Sequence, residues 1–520
     1  MQQKAFKEDI QEGYTHRGQT ITLGAAMLNE EPLADTQVRL ALKTFNRHGL
    51  IAGATGTGKT KTLQVIAEQL SNAGVPSLVM DLKGDLSGLA KAADANPKLT
   101  GRNEKLGLEF TPQSFPVEFL SLSDEPGIKL RATVSEFGPV LFSKILDLND
   151  TQSGVMALIF KYCDDNKWPL IDLEDVKEVL RYVGDKGKDA FIKEYGRIAG
   201  STSSAIMRKI VELEQQQADR FFGEPSFNPD DLVRRDSEGK GVVSILRLTD
   251  LQDRPKLFST FMLSLLAEIY STFPEEGDLE KPKLCLFIDE AHLVFSESSK
   301  ALLQQLEAII KLIRSKGVGI FFCTQSPNDI PDEILGQLGL KVQHALRAFT
   351  ARDRKAIRRS AENFPISDHY DTATLLTSLG IGEALITALN EKGRPTPLAA
   401  TMLRAPASRM DILTSQEIND VLAGSQLLGK YRDDVDRDSA HEILKRKLEQ
   451  AEAEDHREKM KDQWQSAAKK QTPTRSTAKE EESWVEELSK NTMVRQLGRT
   501  VMRELARGLL GVLGVNKRKR

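Results

Sequence analysis

Cysteine is scarce: 520 residues contain three, at positions 163, 285 and 323, and none forms a Cys-x-x-Cys pair. That removes a zinc cluster, a dithiol redox centre and a disulfide framework from consideration. Such sparse use fits a reducing compartment, and Cys285 and Cys323, inside apolar runs, read as small core residues. No run of about 18 apolar residues occurs, so no bilayer-spanning helix is expected. The opening segment, MQQKAFKEDIQEGYTH, lacks the apolar stretch of a leader. A cytoplasmic protein is the expectation. Excess charge is missing too. The formal net charge is −3, which gives no overall basic field for nucleic acid, although a ring or channel can still concentrate charge locally.

What is there is ordinary globular composition, 40% hydrophobic and 28% charged, in a chain long enough for about three domains. Residues 1–46 show one short β-like stretch, Gln19–Leu23, too short for a domain of its own. From His48 the pattern becomes strand (His48–Ala52), glycine loop, helix (Lys59 to about Asn72) and strand (Ser77–Met80). Leu63, Ile66, Ala67 and Leu70 share one helix face, and Gly74 and Pro76 stop the helix. The second strand is apolar on both faces, as in a parallel sheet covered by helices. Residues 128–222 carry helical periodicity with Pro139, Pro169 and Gly200 as punctuation. Strands resume at Gly241–Leu248, Leu284–Ile288, Ile320–Cys323 and Lys341–Leu346, separated by helices near 256–272 and 300–316. A short hairpin is expected around Gly393–Pro395. The predicted fold is α/β, a P-loop core with a mainly parallel sheet, an α-helical insertion and a helical or disordered C-terminal tail. The predicted organisation is 1–127 and 223–410 for the core, 128–222 for the insertion and 411–520 for the tail. Residues 432–490 are densely charged, and KKQTPTRSTAK at 469–479 reads as a linker.

Three motifs carry chemistry. Gly53-Ala54-Thr55-Gly56-Thr57-Gly58-Lys59-Thr60 matches GxxxxGK[ST] between a predicted strand and a predicted helix. Inward backbone N–H groups of such a loop cradle phosphates, and the helix N-terminus adds positive potential. Nucleotide contacts are expected from Gly53 through Lys61, with Lys59 on the β- and γ-phosphates and the Thr60 hydroxyl on Mg²⁺. LCLFI at 284–288 ends in Asp289 and Glu290, which read as a magnesium-holding carboxylate and a general base. Thr324-Gln325 ends the next strand and is placed to sense the γ-phosphate or orient water. Asp81, Lys83 and Asp85 (DLKGD) face the same edge or form a solvated turn.

The chain has one P-loop and no second GK[ST]. A motor that closes its site between two lobes must then borrow a lobe from a second copy, with an arginine supplied in trans. Arg314 is a candidate, and Arg347, Arg352, Arg354, Arg358 and Arg359 form another basic group. Near the C-terminus, Arg495, Arg499, Arg503 and Arg507 repeat opposite Leu497, Val501, Leu505 and Leu509. This basic amphipathic helix is compatible with an anionic membrane surface, nucleic acid, a protein partner or its own core.

Arg47-His-Gly-Leu-Ile-Ala-Gly-Ala-Thr-Gly-Thr-Gly-Lys-Thr60, the Asp81–Asp85 turn, Ile288-Asp-Glu-Ala-His292 and Thr324-Gln325 together resemble the HerA/FtsK group of P-loop ATPases. The resemblance is greatest to bacterial HerA-like proteins with an uncharacterised C-terminal region. It covers about 20–410 and recurs in the final basic helix. It implies a RecA-like core in a hexameric ring that hydrolyses ATP with Mg²⁺ and moves double-stranded DNA, with a nuclease partner. By position it implies Lys59 and Thr60 at the nucleotide and Mg²⁺, Glu290 as base, Gln325 as sensor, Arg314 as trans finger and Arg47 near the phosphates. HerA has a β-barrel before its ATPase core, and the residues before Gly53 are too few for one. A different partner is therefore open. Three readings follow: a DNA translocase or helicase, a partner-gated ATPase acting on protein near a membrane, and a nucleotide-binding scaffold with little turnover.

Overall fold

Short buried runs of Val, Ile, Leu and Phe, each closed by a polar or glycine residue, become the strands of a single twelve-stranded sheet. The computed structural model describes residues 2–251, 255–277, 279–296, 300–432 and 438–450. The chain divides into two units: Met1–Arg131 with Pro225–Asp434, and Ala132–Glu224 with Val435–Arg520.

The first unit holds the whole sheet. Its strands are β1 (Thr20–Leu28), β2 (Glu31–Ala41), β3 (Gly49–Ala52), β4 (Ser77–Asp81), β5 (Val117–Ser121), β6 (Ile128–Lys129), β7 (Val243–Arg247), β8 (Leu284–Ile288), β9 (Val318–Thr324), β10 (Leu340–His344), β11 (Glu383–Thr387) and β12 (Ala399–Leu403). Their order is β2-β1-β12-β11-β10-β3-β9-β8-β4-β7-β5-β6. From β10 through β6 every neighbouring pair is parallel; β10–β11, β11–β12, β12–β1 and β1–β2 are antiparallel. Every residue of β3, β4, β8 and β9 is buried, as a sheet covered on both faces requires. Ala52 pairs with Thr324, and Ile288 with Phe322 and Met80. The C-terminal ends of β3, β9, β8 and β4 therefore share one edge, where ligands bind in open parallel sheets. Among the described residues, no helix is long and apolar enough to cross a membrane.

The N-terminal segment corrects the sequence expectation of one short strand. Helix α1 (Gln2–Gly13) buries Phe6 and Ile10 completely, and β1 and β2 run for 9 and 11 residues. Pro32, Asp35 and Gln37 hide β2 from apolar periodicity because it is the outer edge of the sheet. Residues 411–431 need a second correction. The expected boundary at 411 puts them in the tail, yet Leu413, Ile418, Leu427 and Tyr431 are buried within the first unit, and Thr414 caps a helix, Ser415–Ala423. Residues 128–129, expected to open the insertion, form β6 on β5.

The second unit is built by helices Val134–Ile145, Asp150–Asn166, Leu173–Gly184, Lys188–Tyr195 and Gly200–Glu214. Thr133, Asn149 and Asp172 close capping boxes on the first three, each worth about 1 kcal/mol. Gly138, at φ 66°, kinks the first ahead of Pro139. Phe142, Met156, Ile159, Val176, Val179 and Ile206 are fully buried. The linker at 469–479 and the basic helix at 492–513 lie outside the described residues.

Candidate active site

Strand β3 ends at Ala52 and helix α2 (Lys59–Asn72) begins seven residues later, with the glycine loop between them. Gly53, Gly56 and Gly58 have φ of 154°, 78° and 111°, values that favour glycine. A Cβ on Gly53 would stand 2.5 Å from the Cβ of His344. The loop is pinned on both flanks: Gly53 N–H donates to Thr324 O (3.2 Å), Ala54 N–H to Ala345 O (2.9 Å), and Gly382 N–H to Thr57 O (3.0 Å). Thr57 Oγ1 donates to Ala54 O at 2.7 Å. Thr55 and Gly56 are exposed at the loop tip and Thr60 is half-buried. Lys59 Nζ donates to the carbonyls of Gly53 (2.7 Å) and Ala54 (3.2 Å). Burial, and then the charge of Lys83, pull its pKa down, against Glu290 and Asp289.

The acid pair stands at the same edge, beyond β9. Asp289 is 4% exposed and its Oδ2 has no hydrogen-bond partner among the described residues. Burial pushes its carboxyl up to about 7; Lys83 opposes the shift and Glu290 adds to it. Glu290 is also buried, at a left-handed φ of 47°, which costs a non-glycine residue about 1 kcal/mol and is characteristic of functional sites. One of its oxygens pairs with Lys83 Nζ, and the other lies 3.2 Å from His292 Nδ1. Lys83 comes from the turn after β4. That turn is held by Asp81, whose carboxylate accepts from Gly84 N (2.7 Å) and Leu86 N (3.1 Å). Burial, with Asp85 beside it, pushes Asp81 up to about 6. The sequence left Lys83 open between a solvated turn and the ligand edge; the tertiary structure sets it on Glu290.

The site fits a magnesium nucleotide. Its loop holds three glycines at positive φ, where backbone N–H groups can approach phosphate oxygens, and hard oxygen ligands stand beside it: the Thr60 hydroxyl and the buried Asp289 Oδ2, which has no partner among the described residues.

Not every expected residue is brought there. Arg47 precedes β3, so it lies at the opposite edge of the sheet: its carbonyl accepts from Gly339 N (2.9 Å) and its guanidinium faces Gly393. Its expected place near the phosphates of its own chain is thereby corrected, because β3 runs between them. The Lys61 side chain is turned elsewhere. Its ammonium donates to Met410 O (2.6 Å) and Gln64 Oε1 (3.2 Å), not into the loop. Arg314 sits exposed in a 3₁₀ turn, Arg314–Lys316, ahead of β9. The seven residues of β9, about 23 Å of strand, separate it from the acid pair. Gln325 follows β9 and is exposed at the site edge, while Thr324 Oγ1 is tied to Asp329. His344 went unnoticed in the sequence. It lies under the loop with Nε2 2.9 Å from Thr62 Oγ1, and burial, then Lys59, push it down to about 4. Only the pairing of β10 with β3 makes it visible.

A glycine loop between the central strand and its helix, with an acid pair at the end of the strand next but one, defines a P-loop ATPase with a RecA-like core, an ATP hydrolase. The sequence profile of the family described as "Helicase HerA-like C-terminal" matches residues 26–519, and the chain belongs to that family. The DNA double-strand break repair helicase HerA of Saccharolobus solfataricus is 25% identical over 389 residues, covering 74% of this chain and 69% of that protein. HerA of Sulfurisphaera tokodaii is 24% identical over 358 residues, 68% of this chain and 64% of the relative. A probable helicase of Methanocaldococcus jannaschii is 25% identical over 362 residues, 68% of this chain and 62% of its own. The chain thus spans less than two thirds of the latter two. Among solved structures, the bacterial conjugative coupling protein TrwB shares the fold. Its sulphate-bound form gives a TM-score of 0.52 at 14% identity, over 78% of this chain and 94% of that one. Its ADPNP complex gives 0.51 at 15%, over 78% and 95%.

Proposed function

We propose that this chain is an ATP-driven motor on double-stranded DNA, a translocase or helicase, working as a homo-oligomeric ring with six copies as the family resemblance implies. In this reading the amides of residues 53–60 and Lys59 bind the phosphates of ATP. Thr60 Oγ1 and the Asp289 carboxylate hold Mg²⁺, which when bound neutralises phosphate charge. Glu290 accepts the proton of the attacking water. Lys83 directs the Glu290 carboxylate, and Gln325 orients the water. Arg314 reaches the nucleotide of the adjacent copy.

The observation that carries the reading is the placement of the acids: Asp289 and Glu290 are buried at the P-loop edge while Arg314 is exposed at the far edge. An ATPase arranged so has its base at home and its arginine facing outward. The relatives named as DNA double-strand break repair helicases support DNA as the track. The test is ATP turnover of wild type and Glu290→Gln, with and without duplex DNA. Stimulation is expected to weaken with salt, and Glu290→Gln to lose about 10²-fold or more. Turnover that needs Glu290 but ignores every nucleic acid would sink the DNA half of the proposal.

A further inference from the structure

The basic group that begins at Arg347 takes no part in the reading above. Residues 347–362 hold six basic side chains against two acidic ones, Asp353 and Glu362, a net +4 within a chain of net −3. Over the helix Ala351–Glu362 this charge is sorted by side. Ile357 and Ser360 are buried, and Asp353, Ala356 and Ala361 are half-buried. With about 3.6 residues per turn, these five share one half of the helix. Arg352, Arg354, Lys355, Arg358 and Arg359 fill the other half, and all five are exposed. Glu362 enters that arc only at the last position.

Little in the fold neutralises the arc. Arg347, Arg354, Lys355 and Arg358 have no ion-pair partner among the described residues. Arg352 stands beside Asp353, whose carboxylate already accepts from the amides of Phe349 (2.9 Å) and Thr350 (2.8 Å) at the helix cap. Arg359 pairs with Asp332 at 2.9 Å, but both side chains are exposed, and such a pair contributes little. A solvated helix face ordinarily sets acids four positions from bases. Here Arg354 and Arg358, and Lys355 and Arg359, are like-charged at that spacing, which by itself destabilises a helix. A polyanion laid along the arc removes that penalty.

The helix is also tied to the ATP loop. The segment that leads into it begins at Ala345, whose carbonyl accepts from Ala54 N–H at 2.9 Å. Lys341 Nζ holds the far end through Asn363 O (3.0 Å), and Asp332, the partner of Arg359, lies a few residues beyond Gln325. The P-loop and the segment after Gln325 are thus both bonded to this helix or to its lead-in. That position favours the polymer an ATPase moves over a passing acidic protein, and the arc presents nothing apolar larger than Ala351 to enter a lipid interface. We infer that Arg352, Arg354, Lys355, Arg358 and Arg359 grip the phosphate backbone of duplex DNA without reading its bases. The inference rests on the DNA reading above.

The test titrates a labelled DNA duplex, by fluorescence anisotropy at several salt concentrations, with three full-length proteins. These are wild type, the triple variant Arg354→Gln, Lys355→Gln, Arg358→Gln, and the charge-preserving double variant Arg354→Lys, Arg358→Lys. ATP turnover without DNA is measured on each. The substituted side chains are exposed and the capping residues Thr350 and Asp353 are kept, so the helix is expected to remain folded. The triple variant is expected to bind the duplex about ten-fold or more weakly, with a dependence of log affinity on log salt shallower by about 2 to 3. The double variant should stay within about three-fold of wild type, and DNA-free turnover within about two-fold in all three. Triple-variant binding equal to wild type would overturn the inference, as would an equal loss in the double variant, since charge would then not be the cause. A large fall in DNA-free turnover would overturn it too, placing these cations on the nucleotide of a second copy. So would lost binding to vesicles of anionic phospholipid with DNA binding unchanged. In each of these cases wild type still binds DNA; wild type that binds no duplex removes the DNA reading itself, and the inference with it.

Discussion

His48 shows how much one side chain can specify. It ends the turn before β3 with φ 60°, and its Nδ1 accepts from Ile320 N–H at 3.0 Å while Nε2 lies 2.9 Å from Ile310 O. The ring must therefore be neutral with its proton on Nε2. Burial first, with the Arg314 charge adding, pushes it down to about 4. The folded value lies below the unfolded one near 6.5. Its stability contribution is present above pH about 6.5 and is lost as pH falls toward 4, because the unfolded chain takes up a proton that the folded ring refuses. The amount is up to about 3 kcal/mol. His48→Asn should therefore destabilise the first unit more at pH 7 than at pH 4.5, measured by denaturant unfolding. A penalty independent of pH would contradict this account. The sequence placed His48 at the start of a strand but gave no sign of its two partners, which lie more than 260 positions away.

At the scale of elements, the turn after β4 matters most to the chemistry. It delivers Lys83 across the sheet edge to the end of β8, where two adjacent buried carboxylates have little other compensation. Lys83→Ala should lower kcat by about 10- to 10²-fold with KM for ATP nearly unchanged, because the loss falls on the base and not on the phosphate grip. Lys83→Arg should restore much of it, and steady-state kinetics on the three proteins decides. A loss confined to KM would place Lys83 on the nucleotide instead. Elsewhere local sequence was legible: the strand, loop and helix from 48 to 72 are set by neighbours in the chain. The outer strand β2 was not, because an edge strand keeps polar residues on its open side.

Across the whole molecule, the opposite placements of Glu290 and Arg314 make a mixing experiment decisive. Arg314→Ala and Glu290→Gln proteins should each lose most turnover, an arginine finger being worth 10³ or more in rate. Mixed in equal amounts, they should recover roughly a quarter of wild-type activity, since about one contact in four then joins an intact base to an intact arginine. Dissociation and reassembly before assay allow exchange, and ATP turnover reads the outcome. No recovery above the separate proteins would rule out Arg314 as the trans residue.

The sequence by itself determined the P-loop, the acid pair and the α/β class. Each depends on contiguous residues: glycines that permit the loop torsions, a helix that begins at Lys59, and apolar runs that stop at a carboxylate. The tertiary structure alone decided which distant groups meet. Sheet order put a strand between the P-loop and the acids, carried Lys83 to Glu290 and sent Arg47 and Arg314 to the far edge, and the tertiary fold set the Lys61 ammonium on Met410 O. The reason is physical: strand pairing and burial are set by partners hundreds of residues apart, and no local pattern records which end of a strand a neighbouring side chain will face.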